Sequence, residues 1–76
     1  MTLRESPPGA LFRVSGIRLS APSALRLSEM GIRVGTFAHV TQRAAFGGRV
    51  VAVAGSRFAL DGATADLIDI TAVVPT

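Results

Sequence analysis

What most limits the folds open to this chain is one block, Leu25-Arg-Leu-Ser-Glu-Met-Gly31-Ile-Arg-Val-Gly35-Thr-Phe-Ala-His-Val40. It reads as the end of a short amphipathic helix, a glycine stop, a tight turn and then a strand. Gly31 stands where a helix leaves through the left-handed region, which other residues enter only with strain. With Gly31 just past the cap, Leu27 and Ile32 have the spacing at which a Schellman stop makes its apolar contact. Gly35 is expected to close a second reversal over residues 32–35, as glycine does at the last position of a type I turn. Alternation of apolar and polar residues begins immediately after it.

Residues 1–76 form one domain on length alone. Below roughly 70–80 residues a core is only marginally sufficient without staples, and the chain has no cysteine. Hydrophobic residues make up 49% and the mean hydropathy is +0.47, so one face of most strands is expected to be buried. No apolar run approaches the ~20 residues that span a bilayer. Residues 1–8 carry Arg4 and Glu5 without the apolar segment of a secretory signal. The expected location is the cytoplasm, with no segment embedded in a membrane. The net charge is +3, and all eight basic residues are arginines (4, 13, 18, 26, 33, 43, 49 and 57), spread along the chain instead of gathered in a block.

In chain order, residues 1–8 read as a polar lead-in ending in Pro7-Pro8 that packs along an edge. The first strand is expected over 10–19, with Phe12 and Val14 on one face and Leu11, Arg13 and Ser15 on the other. Gly16 in its middle suggests a bulge. The helix spans 22–30, with Ser20 or Ser23 as N-cap and Ala24, Leu27 and Met30 on its buried face. The second strand, 36–43, turns Ala38 and Val40 inward and leaves Phe37 and His39 outside. The connection Ala44-Ala-Phe-Gly47-Gly48 follows, then a nearly continuous apolar strand over 49–54. Gly55-Ser56 reads as a two-residue hairpin turn, with a fourth strand over 57–60 turning Phe58 and Leu60 inward. A helical turn over 63–67, capped by Asp61 or Thr64, leads to a last strand over 68–74 that Pro75 ends. Five short strands with one short helix after the first and a helical turn before the last make a mainly β fold, a small five-stranded barrel.

Catalytic constellations are missing. There is one histidine and no cysteine, no Gly-x-Ser-x-Gly, and no paired carboxylates in an expected cleft; the serines have turn or cap roles. Gly47-Gly48 lacks the frame of a phosphate-binding loop. No catalytic residue, cofactor or metal is therefore expected. His39 with Glu29 or an aspartate offers nitrogen and oxygen ligands, but one histidine without a second strong ligand reads as a surface residue. A nucleic-acid platform needs aromatics interleaved with a basic groove, and Phe12 and Phe58 are better used in the core, so no nucleic acid is expected. Protein binding remains, with Phe46, Arg43, Arg49 and Phe37 as the candidate partner-binding residues and Gly31, Gly35, Gly47 and Gly48 as the structural turns. Phe46 is either an anchor for a partner or a lid folded onto the barrel end. The cost of exposing a phenylalanine favours the lid. Paired sheet edges leave a homo-oligomer among the alternatives.

The succession Leu27-Ser-Glu-Met-Gly-Ile32, Val34-Gly-Thr36, Ala44-Ala-Phe-Gly-Gly48, Ser56-Arg-Phe-Ala-Leu60 and Ala65-Asp-Leu-Ile-Asp-Ile70 resembles the FeoA family over residues 2–74. It departs from the family pattern at Ala45 and Arg49, where proline is frequent, and at Met30 in place of leucine. The resemblance implies an SH3-like barrel without enzymatic activity. It further implies a cytoplasmic accessory of ferrous-iron uptake that binds and modulates the FeoB membrane GTPase transporter. The same module also occurs as the C-terminal domain of metal-dependent transcriptional repressors. The second reading is accordingly a free-standing regulatory domain that binds peptide segments.

Overall fold

In the computed structural model, which describes residues 1–74, five antiparallel strands form one curled sheet in the order β4-β3-β2-β1-β5. They are β1 (Leu11–Ile17), β2 (Phe37–Arg43), β3 (Arg49–Val53), β4 (Ser56–Leu60) and β5 (Ile68–Ala72). Helix α1 (Ala21–Glu29) follows β1, and the single turn α2 (Gly62–Ala65) precedes β5. This is the expected SH3-like arrangement. The inner face collects Phe12, Val14, Ala38, Val40, Val51, Leu60, Ile68 and Ile70 from all five strands. Two-residue alternation decides which side chains these are: β1 and β2 both bury alternate residues from their second position on. The bulge expected at Gly16 is present, as a register shift between Val14 and Gly16 where β1 pairs with β5.

The glycine stop has the geometry its spacing implies. The Ile32 N–H donates to Leu27 O at 2.8 Å and the Gly31 N–H to Ser28 O at 3.0 Å, the two bonds of a Schellman motif. Leu27 and Ile32 are both buried, so the stop also pins α1 onto the barrel. Gly31 has φ +92°, where a Cβ would crowd the backbone.

Several boundaries differ from expectation. The second reversal lies one residue later, over residues 33–36, with the Thr36 N–H donating to Arg33 O at 3.0 Å. Gly35 at φ +95° thus takes the third position, where a type II turn requires positive φ. The β3–β4 hairpin turns at Ala54-Gly55 instead of Gly55-Ser56. Both residues have positive φ (50° and 80°), as a two-residue type I′ connection demands. The last strand ends at Ala72, and the expected stop at Pro75 lies outside the described residues. Asp61, not Thr64, caps α2: its Oδ1 accepts from the Thr64 N–H at 2.7 Å.

The largest difference is at the N-terminus. Residues 1–8 do pack along the β5 edge as expected, but they are no mere lead-in. Leu3 is 1% exposed at the start of a 3-10 turn (Leu3–Glu5), and Ser6 behind it is buried as well. Thr2 bridges Asp69, and the Ile70 N–H donates to Met1 O at 2.8 Å. One apolar side chain in a segment too short for periodicity has become part of the core.

Gly31→Val places a β-branched side chain in the left-handed region and is expected to destabilise the protein by about 1 kcal/mol or more. Thermal or urea denaturation reads this directly, and an unchanged midpoint would contradict the Schellman stop.

Candidate partner-binding site

The β2–β3 connection is built on Arg49, the first residue of β3. Two-residue alternation puts it on the same face as Val51 and Val53, and it is 7% exposed. Its guanidinium is met by main-chain oxygens. Nε donates to Ser6 O at 2.9 Å, and one terminal nitrogen donates to Gly48 O at 2.8 Å and Gly47 O at 3.2 Å. The other terminal nitrogen donates to Arg4 O. A guanidinium taken from water needs its N–H groups satisfied, and here carbonyl dipoles take the place of the water. Arg49, expected as a charged flank of a surface, is therefore an internal strut. It ties the N-terminal turn to the loop.

That strut holds a 3-10 turn (Ala45–Gly47) whose middle residue, Phe46, is 94% exposed. The lid alternative is thereby set aside: the ring is turned to solvent, not onto the barrel end. Phe46 has φ 56° and ψ 39°, and Gly47 continues at φ +82°. A non-glycine residue in this region costs about 1–2 kcal/mol, and such outliers persist where the surroundings over-determine them. The surroundings here are specific. The Ala44 N–H donates to Gly48 O at 2.9 Å and the Gly48 N–H to Ala45 O at 3.1 Å, closing the loop at its base. From below, Gly62 of α2 lies against the loop backbone, where a Cβ would sit 2.2 Å from Phe46 O. Only glycine permits that approach.

Arg43 is exposed at the end of β2, directly across from Arg49. Arg4, not anticipated from the sequence, lies over Gly47, close enough that a Cβ there would be 2.5 Å from its Nε. Arg4 lies against the loop and Arg43 begins it, while the buried Arg49 supports it from inside. The ion pair found among the described residues joins Arg18 to Asp69, at 3.0 Å, elsewhere on the barrel. The barrel end that carries the exposed Phe46 therefore also carries Arg4 and Arg43. Phe37 is 60% exposed but starts β2, whereas Phe46 lies beyond its end. Six residues of strand separate Phe37 from Arg43, about 20 Å at strand rise, so Phe37 belongs to a different surface. Of the expected turn glycines, Gly48 has an ordinary φ of −67° and is needed for space, since a Cβ would lie 2.9 Å from Leu60 O.

Two carboxylates brace the supports of this loop. The Thr2 N–H donates to Glu5 Oε1 at 2.8 Å and fixes the turn that supplies Arg4 O and Ser6 O. Asp61 caps the helical turn that carries Gly62. Backbone N–H donors hold both carboxyls below their ordinary range, and the Arg18 guanidinium does the same for Asp69. Among the described residues no three His, Cys, Asp or Glu side chains come together as a metal site, and no helix is long and apolar enough to cross a membrane.

A curled five-stranded barrel with a short helix, presenting one ring on a braced loop, defines a small SH3-like domain. Comparison makes the assignment specific: the FeoA domain model matches residues 1–72, and the chain belongs to the FeoA family. Iron(II) transport protein A from Clostridium thermocellum is 27% identical over 96% of this chain, with a TM-score of 0.86. The present chain spans 46% of that protein's length. An iron uptake regulatory protein (FeoA) is 25% identical with a TM-score of 0.83, and 96% of each chain is covered. The manganese regulator SloR, 15% identical over 96% of this chain and 34% of its own, has a TM-score of 0.82 and shares the fold alone. No curated protein matches.

Two outcomes test the bracing. Arg49→Met withdraws the donor from the Arg4, Ser6 and Gly47 carbonyls, while Gly48 O keeps the Ala44 N–H, and is expected to cost about 2–4 kcal/mol of stability in urea denaturation. Arg49→Lys, which cannot reproduce the fork, is expected to recover only part of it; full recovery would contradict the strut. The carboxyls titrate lower in the folded than in the unfolded chain, so their stabilisation is present above the ordinary carboxylate range and is lost as pH falls through the folded values. The denaturation midpoint is therefore expected to drop as pH is lowered through about 4, and a flat profile there would contradict the brace.

Proposed function

We propose that this chain is a non-enzymatic accessory protein of ferrous-iron uptake that docks on the cytoplasmic side of the FeoB membrane GTPase transporter and modulates it. The carrying observation is Phe46: a fully presented ring, held in a left-handed conformation by its supports, in a family associated with iron transport. Aromatic and arginine side chains are the types most enriched at binding hot spots. A loop backbone already held by its supports loses little freedom on binding. Phe46 is the apolar anchor, and Arg43 and Arg4 are its charged flanks. The complementary surface on the transporter is an apolar socket with an acidic rim. The GTP-binding domain is the expected location of that socket, because it is the transporter's large aqueous part. The chain acts in the cytoplasm in this reading, and its partner carries the GTP chemistry.

Phe46→Ala is expected to weaken binding to the purified cytoplasmic GTP-binding domain by about 1–2 kcal/mol or more, with an unchanged melting temperature. Calorimetric titration together with a thermal melt on the same variant checks both halves. Native affinity in the variant would remove Phe46 as the anchor. Unchanged anaerobic ferrous uptake in a strain lacking the gene would overturn the accessory role.

A further inference from the structure

The two edges of the sheet are finished differently. At β5 the N-terminus closes the start of the edge through Met1 and Thr2. Among the described residues no strand runs along β4. In the β3–β4 hairpin the pairs Val53 with Ser56, Val51 with Phe58 and Arg49 with Leu60 exchange the ladder bonds, as pairs in phase with a two-residue turn do. The N–H and C=O groups of Arg57 and Ala59 then point away from β3, and no main-chain partner meets them among the described residues. Five consecutive pairs run without a bulge or a proline, so two of the usual devices for blunting an edge are absent.

Beside this edge lies a groove of about 230 Å³ between β4, α1 and α2. Leu19, Leu27 and Met30 form its apolar side, Ala59 and Leu60 border it on the strand, and Arg26 stands on its rim. Arg57 projects from the edge on the outer face. Neither Arg26 nor Arg57 has a carboxylate partner among the described residues.

We propose that β4 accepts one extended strand from a partner protein, a segment in which apolar and acidic residues alternate. Its main chain takes the free groups of Arg57 and Ala59, adding a sixth strand. Its inward side chains fill the groove, and an outward carboxylate meets Arg57 across the strand pair. A second copy of this chain fits less well, because the inward residues of its own β4, Phe58 and Leu60, already pack on its own core. This surface is separate from Phe46 and does not depend on the docking described for that residue.

The test is an NMR titration of the full ¹⁵N-labelled chain with a short synthetic peptide of alternating valine and glutamate, and with its lysine counterpart. The glutamate peptide is expected to slow amide exchange at Arg57 and Ala59 by ~10-fold or more, since exchange reports backbone protection, and to shift Leu19 and Met30. Ala59→Pro removes an N–H that the internal ladder does not use and is expected to abolish the effect. Arg57→Glu leaves the backbone intact and is expected to reverse the preference toward the lysine peptide, which keeps the test decisive if the proline variant fails to fold. Binding without protection of Arg57 and Ala59, or no binding of either peptide, would overturn the proposal. So would concentration-dependent sedimentation of the chain alone that Ala59→Pro eliminates, because the edge would then belong to a second copy.

Discussion

The guanidinium of Arg49 is the interaction on which the rest of the structure depends. Four carbonyls from two stretches far apart in sequence, Arg4 and Ser6 on one side and Gly47 and Gly48 on the other, converge on one planar fork. A point charge on a flexible stem could not serve both stretches at once. With the fork in place the N-terminal turn lies against the barrel, and Leu3 enters the core beside residues from every strand. In a chain of 76 residues without a disulfide, one more buried leucine is a large part of the available apolar burial.

The same fork determines how the opposite side of the loop is displayed. Gly47 and Gly48 are held by their carbonyls, Gly62 leaves room for the Phe46 carbonyl, and the ring has no course but outward. The left-handed backbone at Phe46 is therefore sustained by contacts spread over β3, α2 and the N-terminal turn. Stability and presentation are linked: whatever loosens Arg49, Glu5 or Asp61 loosens the loop that displays Phe46. Arg4 and Arg43 add positive charge to the loop end, and in the proposed docking such charge favours an acidic partner and speeds encounter more than it adds affinity.

Much of this was legible in the sequence, for identifiable reasons. The helix stop at Gly31 was readable because a left-handed exit, a following apolar residue and a preceding leucine must occur together. The inner faces of β1 and β2 were readable because the period of two leaves no choice once Phe12 and Val40 are placed. The hairpin turn was displaced by one residue because Ala54 carries no signal for positive φ. The inward course of Arg49 was missed because arginine reads as solvent-facing, although its alternation with Val51 and Val53 was available. Leu3 and Ser6 gave no periodic signal, and Arg4 meets Gly47 only through a tertiary fold that brings the N-terminus to the loop. The exposure of Phe46 depends on loop geometry, which composition does not encode.

Central to the account is that Phe46 is presented on an ordered loop before any partner arrives. Backbone ¹⁵N relaxation of the isolated chain measures this directly at residues 45–48. Order parameters near about 0.85, as in rigid backbone, are predicted, whereas values below about 0.6 would show a flexible loop and contradict the account.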